Sequence, residues 1–136
     1  MKFRFLSHTA DAKFEAYGKT LNKVFENSAL AMFETITNTK LVNPKITKKF
    51  EINAKDNESI LYDFLEHLLV LHETENILFS KFKVNIKDNS LKAEALGEKI
   101  SKKRHEIRNM IKAVTYHDMK VSKTKNGYKA VVVVDL

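Results

Sequence analysis

Apolar and polar residues alternate in two short runs near the start of the chain. Phe3 and Phe5 are separated by Lys2 and Arg4, and Phe14 and Ala16 by Lys13, Glu15 and Tyr17. A period of two puts alternate side chains on opposite sides of an extended backbone, so both runs predict half-buried strands. Gly18 closes the second. The period then changes. From Thr20, a good N-cap, the residues Leu21, Val24, Phe25, Ala29, Met32, Phe33 and Ile36 recur at three and four positions and form one apolar stripe. This predicts a helix running to about Thr37.

After Pro44, the set Ile46, Phe50, Ile52 and Ala54 alternates with polar residues, a third strand. Asp56 or Asn57 then caps a second helix carrying Ile60, Leu61, Phe64, Leu65, Leu68 and Leu69, with its end near Glu75. Phe82, Val84 and Ile86 alternate with Lys81, Lys83, Asn85 and Lys87. The turn Asp88-Asn89-Ser90 follows, and Leu91, Ala93 and Ala95 resume the alternation as the return strand of an antiparallel hairpin. A last hairpin runs from Ala113 to Lys123 and from Tyr128 to Val134 around Asn126-Gly127. Its four consecutive valines suggest a strand covered on both faces. The sum is an α+β fold, antiparallel sheets built from hairpins and packed with two amphipathic helices.

A chain of 136 residues fits one domain, 1–136, since a chain of this size buries roughly two-thirds of its unfolded surface in a single core. With three glycines, one proline and no low-complexity tract, it has no evident linker. Hydrophobic content of 43% beside 30% charged residues is that of a soluble globular protein, and no apolar run approaches the roughly 20 residues of a membrane helix. The N-terminus lacks the features of a secretory signal, which predicts a cytoplasmic protein without a membrane partner. The net charge of +7 favours acidic or polyanionic partners only in a general way, since lysine-rich solvated surfaces are common.

The absence of cysteine excludes thiolate zinc sites, cysteine nucleophiles and disulfides. Any metal must be held by oxygen or imidazole. Candidate oxygens stand at the two ends: Asp11 near the start, Asp135 at the finish, and the α-carboxylate of Leu136 behind it. Taken singly each is ordinary. Asp11 falls in a connection between two strands, where aspartates commonly form turns. If folding joins the ends, three acidic groups crowd together, which a hard cation such as Ca²⁺ or Mg²⁺ would relieve. His8 is a candidate imidazole ligand or supporting hydrogen-bond partner, although a single histidine beside a strand is more often structural.

His67 and His72 lie five apart on the second helix, make no His-Glu-x-x-His pair, and read as solvated surface. Lys99, Lys102, Lys103, Arg104, His105, Arg108 and Lys112 form the densest basic stretch; a flexible solvated loop is the reading favoured over an RNA or acidic-protein docking site. Gly-rich phosphate loops and G-x-S-x-G elbows are missing, so neither a standalone nucleotide hydrolase nor a common covalent hydrolase is supported.

Two segments carry a family resemblance: His8-Thr9-Ala10-Asp11 followed by Gly18, Leu21 and Phe25, and Lys112-Ala113-Val114-Thr115-Tyr116-His117 through to Asp135-Leu136. With the run Leu61-Tyr62-Asp63-Phe64-Leu65-Glu66 between them, the whole chain resembles the archease family. That resemblance implies a non-enzymatic protein cofactor of the RtcB-type tRNA-splicing ligase, which joins RNA ends bearing a 2′,3′-cyclic or 3′-phosphate to a 5′-hydroxyl. It implies that the protein promotes guanylylation of the ligase by GTP, restores multiple turnover and broadens the nucleoside triphosphates accepted. By position, it implies metal ligation by Asp11, Asp135 and the terminal carboxylate of Leu136, and a required lysine at Lys112. It also implies, as an alternative, a chaperone acting on a tRNA methyltransferase, with tRNA a further possible partner. Members differ at the position of His117, where some carry serine, so this histidine is assigned no catalytic role.

Overall fold

The computed structural model describes residues 1–6 and 11–136. In chain order the elements are β1 (Phe3–Leu6), β2 (Asp11–Gly18), α1 (Leu21–Ile36), β3 (Ile46–Asn53), α2 (Asn57–Glu75), β4 (Ile77–Lys87), β5 (Ser90–Lys99), β6 (Ala113–Thr124) and β7 (Gly127–Asp135), with a short 3₁₀ turn at Thr39–Leu41. The strands form two antiparallel sheets, ordered β1-β2-β7-β6 and β3-β5-β4. The fold is α+β, as the periodicities predict.

Local chemistry sets the boundaries. The Thr20 hydroxyl accepts from the Lys23 N–H at 3.1 Å and opens α1; the Asp56 carboxylate accepts from the Ser59 N–H at 2.8 Å and opens α2. Each cap satisfies a backbone donor that no helical carbonyl can reach. Asn76, at φ 55°, ends α2 in the left-handed conformation and turns the chain directly into β4. Asp88 and Asn89 have φ of 51° and 62°, the two consecutive left-handed residues that a tight hairpin requires. In the last hairpin, Lys125 and Asn126 make the turn and Gly127 opens β7 at φ 149°. A Cβ on Gly127 would collide with the Gly18 carbonyl oxygen and come within 2.9 Å of Lys19 Cα, so two hairpin ends meet where only glycine fits.

Both helices touch both sheets: α1 lies against β2 and β4, and α2 against β6 and the β3-β5-β4 sheet. The predicted stripe of α1 is buried at Val24, Phe25, Ala29, Met32, Phe33 and Ile36, and every apolar residue predicted for α2 is buried. Aromatic rings tie the layers together. Phe33 meets Phe79 and Phe82 at centroid distances of 5.5 and 5.8 Å, and Phe64 bridges Phe25 and Phe50 at 6.3 and 6.0 Å.

The helices also protect open strand edges, whose unmatched N–H groups would otherwise invite further pairing. On β4, the Val84 N–H donates to Glu26 at 3.0 Å and the Ile86 N–H to Asn22 Oδ1 at 2.9 Å. On β6, the Val121 N–H donates to Glu58 at 2.8 Å.

β7 occupies the middle of its sheet. Val132 and Val134 join the main core, while Val133 is shielded on the far face, flanked in register by Lys13 and Thr115; Val131 is half-buried. The valine run therefore does mark a strand covered on both sides.

Three expectations change. Asp11 is the first residue of β2, not part of a connection. His67 and His72 are not solvated: His67 lies over Phe50 at 4.1 Å, and His72 Nδ1 is 2.9 Å from the Ile77 carbonyl with its ring edge on Phe33. Burial lowers the pKa of His67, because the charged ring would lose hydration. The basic stretch is a pinned crossover rather than a flexible solvated loop.

Candidate functional site

Strand register builds the site. Asp11 is the direct partner of Asp135 across β2 and β7, and Asp135 is the direct partner of Ala113 across β7 and β6. Directly opposed residues in an antiparallel pair have Cα atoms about 4.5–5.5 Å apart and side chains on one face. The two carboxylates that the sequence separates by the length of the chain are thus cross-strand neighbours. Just outside β6, the Lys112 N–H donates to the Asp135 carbonyl at 2.7 Å, which fixes the lysine beside the same row. Asp11 is half-buried, whereas Asp135 and Lys112 are exposed. Leu136 packs part of its side chain against the core and so anchors the segment that follows Asp135.

On this face, two residues along β2, Lys13 reaches Asp118 at 3.3 Å, and Asp118 also faces His117 Nε2 at 3.4 Å. Asp118 comes here through an irregularity in β6. The pairing jumps from Thr115↔Val133 to Lys120↔Val131, so extra residues bulge out, with Asp118 at φ 56°. The sequence carries the signal, although the motif reading passes over it: apolar alternation holds at Val114 and Tyr116 but resumes out of phase at Met119 and Val121. Only an inserted bulge reconciles the two phases.

The approach to Lys112 is built on a buried ionic node. Glu98 accepts from the Asn43 N–H at 2.7 Å, from Arg104 at 2.8 Å and from His105 Nε2 at 3.0 Å. The His105 side chain is fully buried, and its Nδ1 accepts from the Ser101 N–H at 2.9 Å, so the ring is held as the Nε2–H tautomer. Burial alone would raise the pKa of Glu98, but hydrogen bonds from Arg104, Asn43 and His105, with the charge of Arg104, outweigh it and hold the carboxyl at about 2. Further along, the Arg108 N–H donates to the Ile36 carbonyl at 2.7 Å and its guanidinium meets Glu34 at 2.9 Å. The Thr37 hydroxyl donates to the Glu106 carbonyl at 2.6 Å, and Asn109 donates to the Thr35 carbonyl at 2.9 Å. Arg104 and Arg108 are neutralised in place, and the segment clamps the end of α1 to the start of β6.

Of the predicted site residues, Asp11, Asp135, Leu136 and Lys112 converge at one end of the sheet. His8 lies outside the described residues. The donor chemistry at this end suits a hard cation, since Asp11 and Asp135 offer oxygen and no sulfur is present. Among the described residues no three His, Cys, Asp or Glu side chains gather closely enough to hold a metal ion, so the remaining ligands would have to include the Leu136 carboxylate, backbone oxygen or water.

Comparison with known proteins gives the family and the fold. The family model of the archease protein family matches residues 3–136. The archease of Sulfurisphaera tokodaii is 46% identical over 137 residues, covering 99% of each chain, and that of Methanothermobacter thermautotrophicus is 50% identical over 138 residues, covering 98% of each. The solution structure of Methanobacterium thermoautotrophicum protein 1598 superposes with a TM-score of 0.88 at 49% identity, covering 99% of both chains. A Thermotoga maritima crystal structure, described as an archease and possible chaperone, shares the fold at a TM-score of 0.67 and 21% identity, over 96% of this chain and 94% of its own. The chain belongs to the archease family.

Proposed function

We propose that this protein is an accessory factor, not itself an enzyme, that activates an RtcB-type tRNA-splicing ligase in the cytoplasm by promoting its guanylylation with GTP, sustaining multiple turnover and broadening its nucleotide use. Family membership supports the reading, and the observation that carries it is the direct register of Asp11 with Asp135 beside Lys112. Asp11, Asp135 and the carboxylate of Leu136 would hold one Ca²⁺ or Mg²⁺, which supplies positive charge where phosphate oxygens crowd. The chain's own part is positional. β2 and β7 present the carboxylates at the end of a rigid sheet, and the clamped crossover presents Lys112 as a fixed cation for a phosphate or an acidic ligase residue. Placing charge in this way assists a reaction without a nucleophile from the cofactor.

Single-turnover transfer of label from GTP to the ligase tests this. Wild-type chain accelerates labelling, and D11A, D135A and K112A each lose most of the stimulation while retaining the fold. Variants as effective as wild type would refute the carboxylate tip as the agent.

A second reading, a chaperone-type module for a tRNA methyltransferase or another RNA-processing protein, draws on two apolar side chains close to Lys112 in sequence. Ile107 is half-exposed and Met110 is 80% exposed on the crossover, available to a protein partner. A chaperone acts near equimolar ratio without nucleotide, whereas an activator of guanylylation acts substoichiometrically. Light scattering and titration of the effect separate the two.

A further inference from the structure

The far end of the molecule carries a cleft that the carboxylate tip does not use. It has a volume of about 710 Å³ and lies between α1 and the open edge of β4, with Lys2, Lys23, Lys81 and Lys83 on its walls and Leu30, Phe82 and Leu96 among its lining. The Tyr17 N–H donates to the Lys2 carbonyl at 2.8 Å, which places Lys2 beside the opposite end of β2 from Asp11. Six residue steps along the strand separate those positions, about 20 Å. The two sites are distinct.

The lysines are placed by structure. Between Phe79 and Lys81 the pairing of β4 with β5 shifts by one residue, so Phe79 and Phe82 both turn inward while Lys81 and Lys83 turn outward. Lys23 pairs with Glu26 at 3.1 Å, and the other Glu26 oxygen is occupied by the Val84 N–H. Lys2, Lys81 and Lys83 make no ion pair among the described residues. One carboxylate therefore lines the cleft with four lysines, and Glu94, the cross-strand partner of Lys83, is engaged by Lys49 at 3.4 Å. The walls are stiff, since Glu26 and Asn22 tie α1 to β4, and Asn27 donates to the Tyr17 carbonyl at 2.6 Å. A second depression, lined by Lys19, Tyr17 and Tyr128, shares Lys23 and Asn27 with the cleft, so the two adjoin as one groove-like surface.

We propose that this groove binds a single-stranded nucleic acid, with the lysines on its phosphates and the apolar and aromatic lining against its sugars and bases. Lys81 and Lys83 stand about 7 Å apart along one strand face, a repeat suited to consecutive phosphates of an extended chain. Unpaired cations over an apolar floor with aromatic rings nearby are the combination that sequence-tolerant single-strand binding uses. The inference does not depend on the ligase reading.

Fluorescence anisotropy of a labelled single-stranded oligouridine with the full chain tests it. K81E/K83E weakens binding at least tenfold, while K102E/K103E, which changes net charge equally at two crossover lysines outside the cleft lining, stays within twofold of wild type. The milder K81Q/K83Q lowers the slope of log affinity against log salt by about 1.4, from roughly 0.7 per single-strand phosphate contact. Melting temperatures confirm that the variants fold. Unlabelled strand competes better than GTP at equal phosphate, and better than polyglutamate. Equal loss in both reversal pairs, no binding by wild type at 50 mM salt, or a GTP or polyglutamate that competes as well as the strand would each overturn the proposal, the last two in favour of a free nucleotide or an acidic protein.

Discussion

Tyr116 of β6 lies flat on Tyr62 of α2, with ring centroids 4.1 Å apart and planes 10° from parallel. Tyr116 is 54% exposed, so burial alone does not explain why the ring is held there. The stack ties the bulge carrying His117 and Asp118 to a helix buried in the core. Burial, with the nearby negative charge of Glu66 and, less, of Tyr116 and Asp63, raises the pKa of the Tyr62 phenol. A double-mutant cycle with Tyr62→Leu and Tyr116→Ala gives a coupling energy of about 0.5–1.5 kcal/mol. A value near zero in denaturant titration would mean that the rings do not stabilise each other.

The node around Glu98 makes stability acid-sensitive. Its carboxyl drops from 4.5 when unfolded to about 2 when folded, so its contribution is complete above pH 4.5 and is lost as the pH falls toward 2. Glu98→Gln removes that charge and leaves Arg104 and His105 poorly matched, destabilising the protein at pH 7 by about 1–3 kcal/mol. Thermal melts of wild type and variant converge between pH 4.5 and 2. Parallel curves would show that Glu98 is not the titrating group.

On the proposed metal reading, a cation bound by Asp11 and Asp135 would stabilise the folded chain by mass action, by about 2.7 kcal/mol at a hundredfold excess over its dissociation constant. Adding Ca²⁺ therefore raises the melting temperature of wild type, and Asp135→Asn abolishes most of the rise. An equal rise in both proteins would place the ion elsewhere.

Gly97 sits beside the β4 irregularity, where a Cβ would strike the Leu78 carbonyl oxygen and lie 2.8 Å from Phe79 Cα. Both obstacles are backbone, which cannot swing aside as a side chain can. Gly97→Ala costs about 1–3 kcal/mol and lowers the urea midpoint. On the two proposals it also disturbs the groove through Lys81, so oligouridine binding would weaken while the proposed activation by the carboxylate tip would persist.

Much of the fold is legible along the chain because it rests on local rules. Thr20 and Asp56 offer caps within reach of the next turn, the stripe from Val24 to Ile36 has helical spacing, and Asp88-Asn89 tolerates left-handed backbone. These effects act over a few residues. The role of the basic stretch is not legible in this way, because its partners Glu34, Thr37 and Leu41 lie more than fifty residues upstream. Seen without them, Arg104 and Arg108 resemble solvated surface.

By itself, then, the sequence determined the succession of strands and helices, their buried faces, and the residue types able to bind a hard cation. Tertiary structure decided what those types become. Antiparallel register set Asp11 opposite Asp135, the bulge in β6 carried Asp118 to Lys13, and the shift in β4 turned Lys81 and Lys83 outward. The physical reason is that periodicity specifies which side of a strand a residue occupies, whereas its neighbours across the sheet depend on how all the strands dock on the shared core.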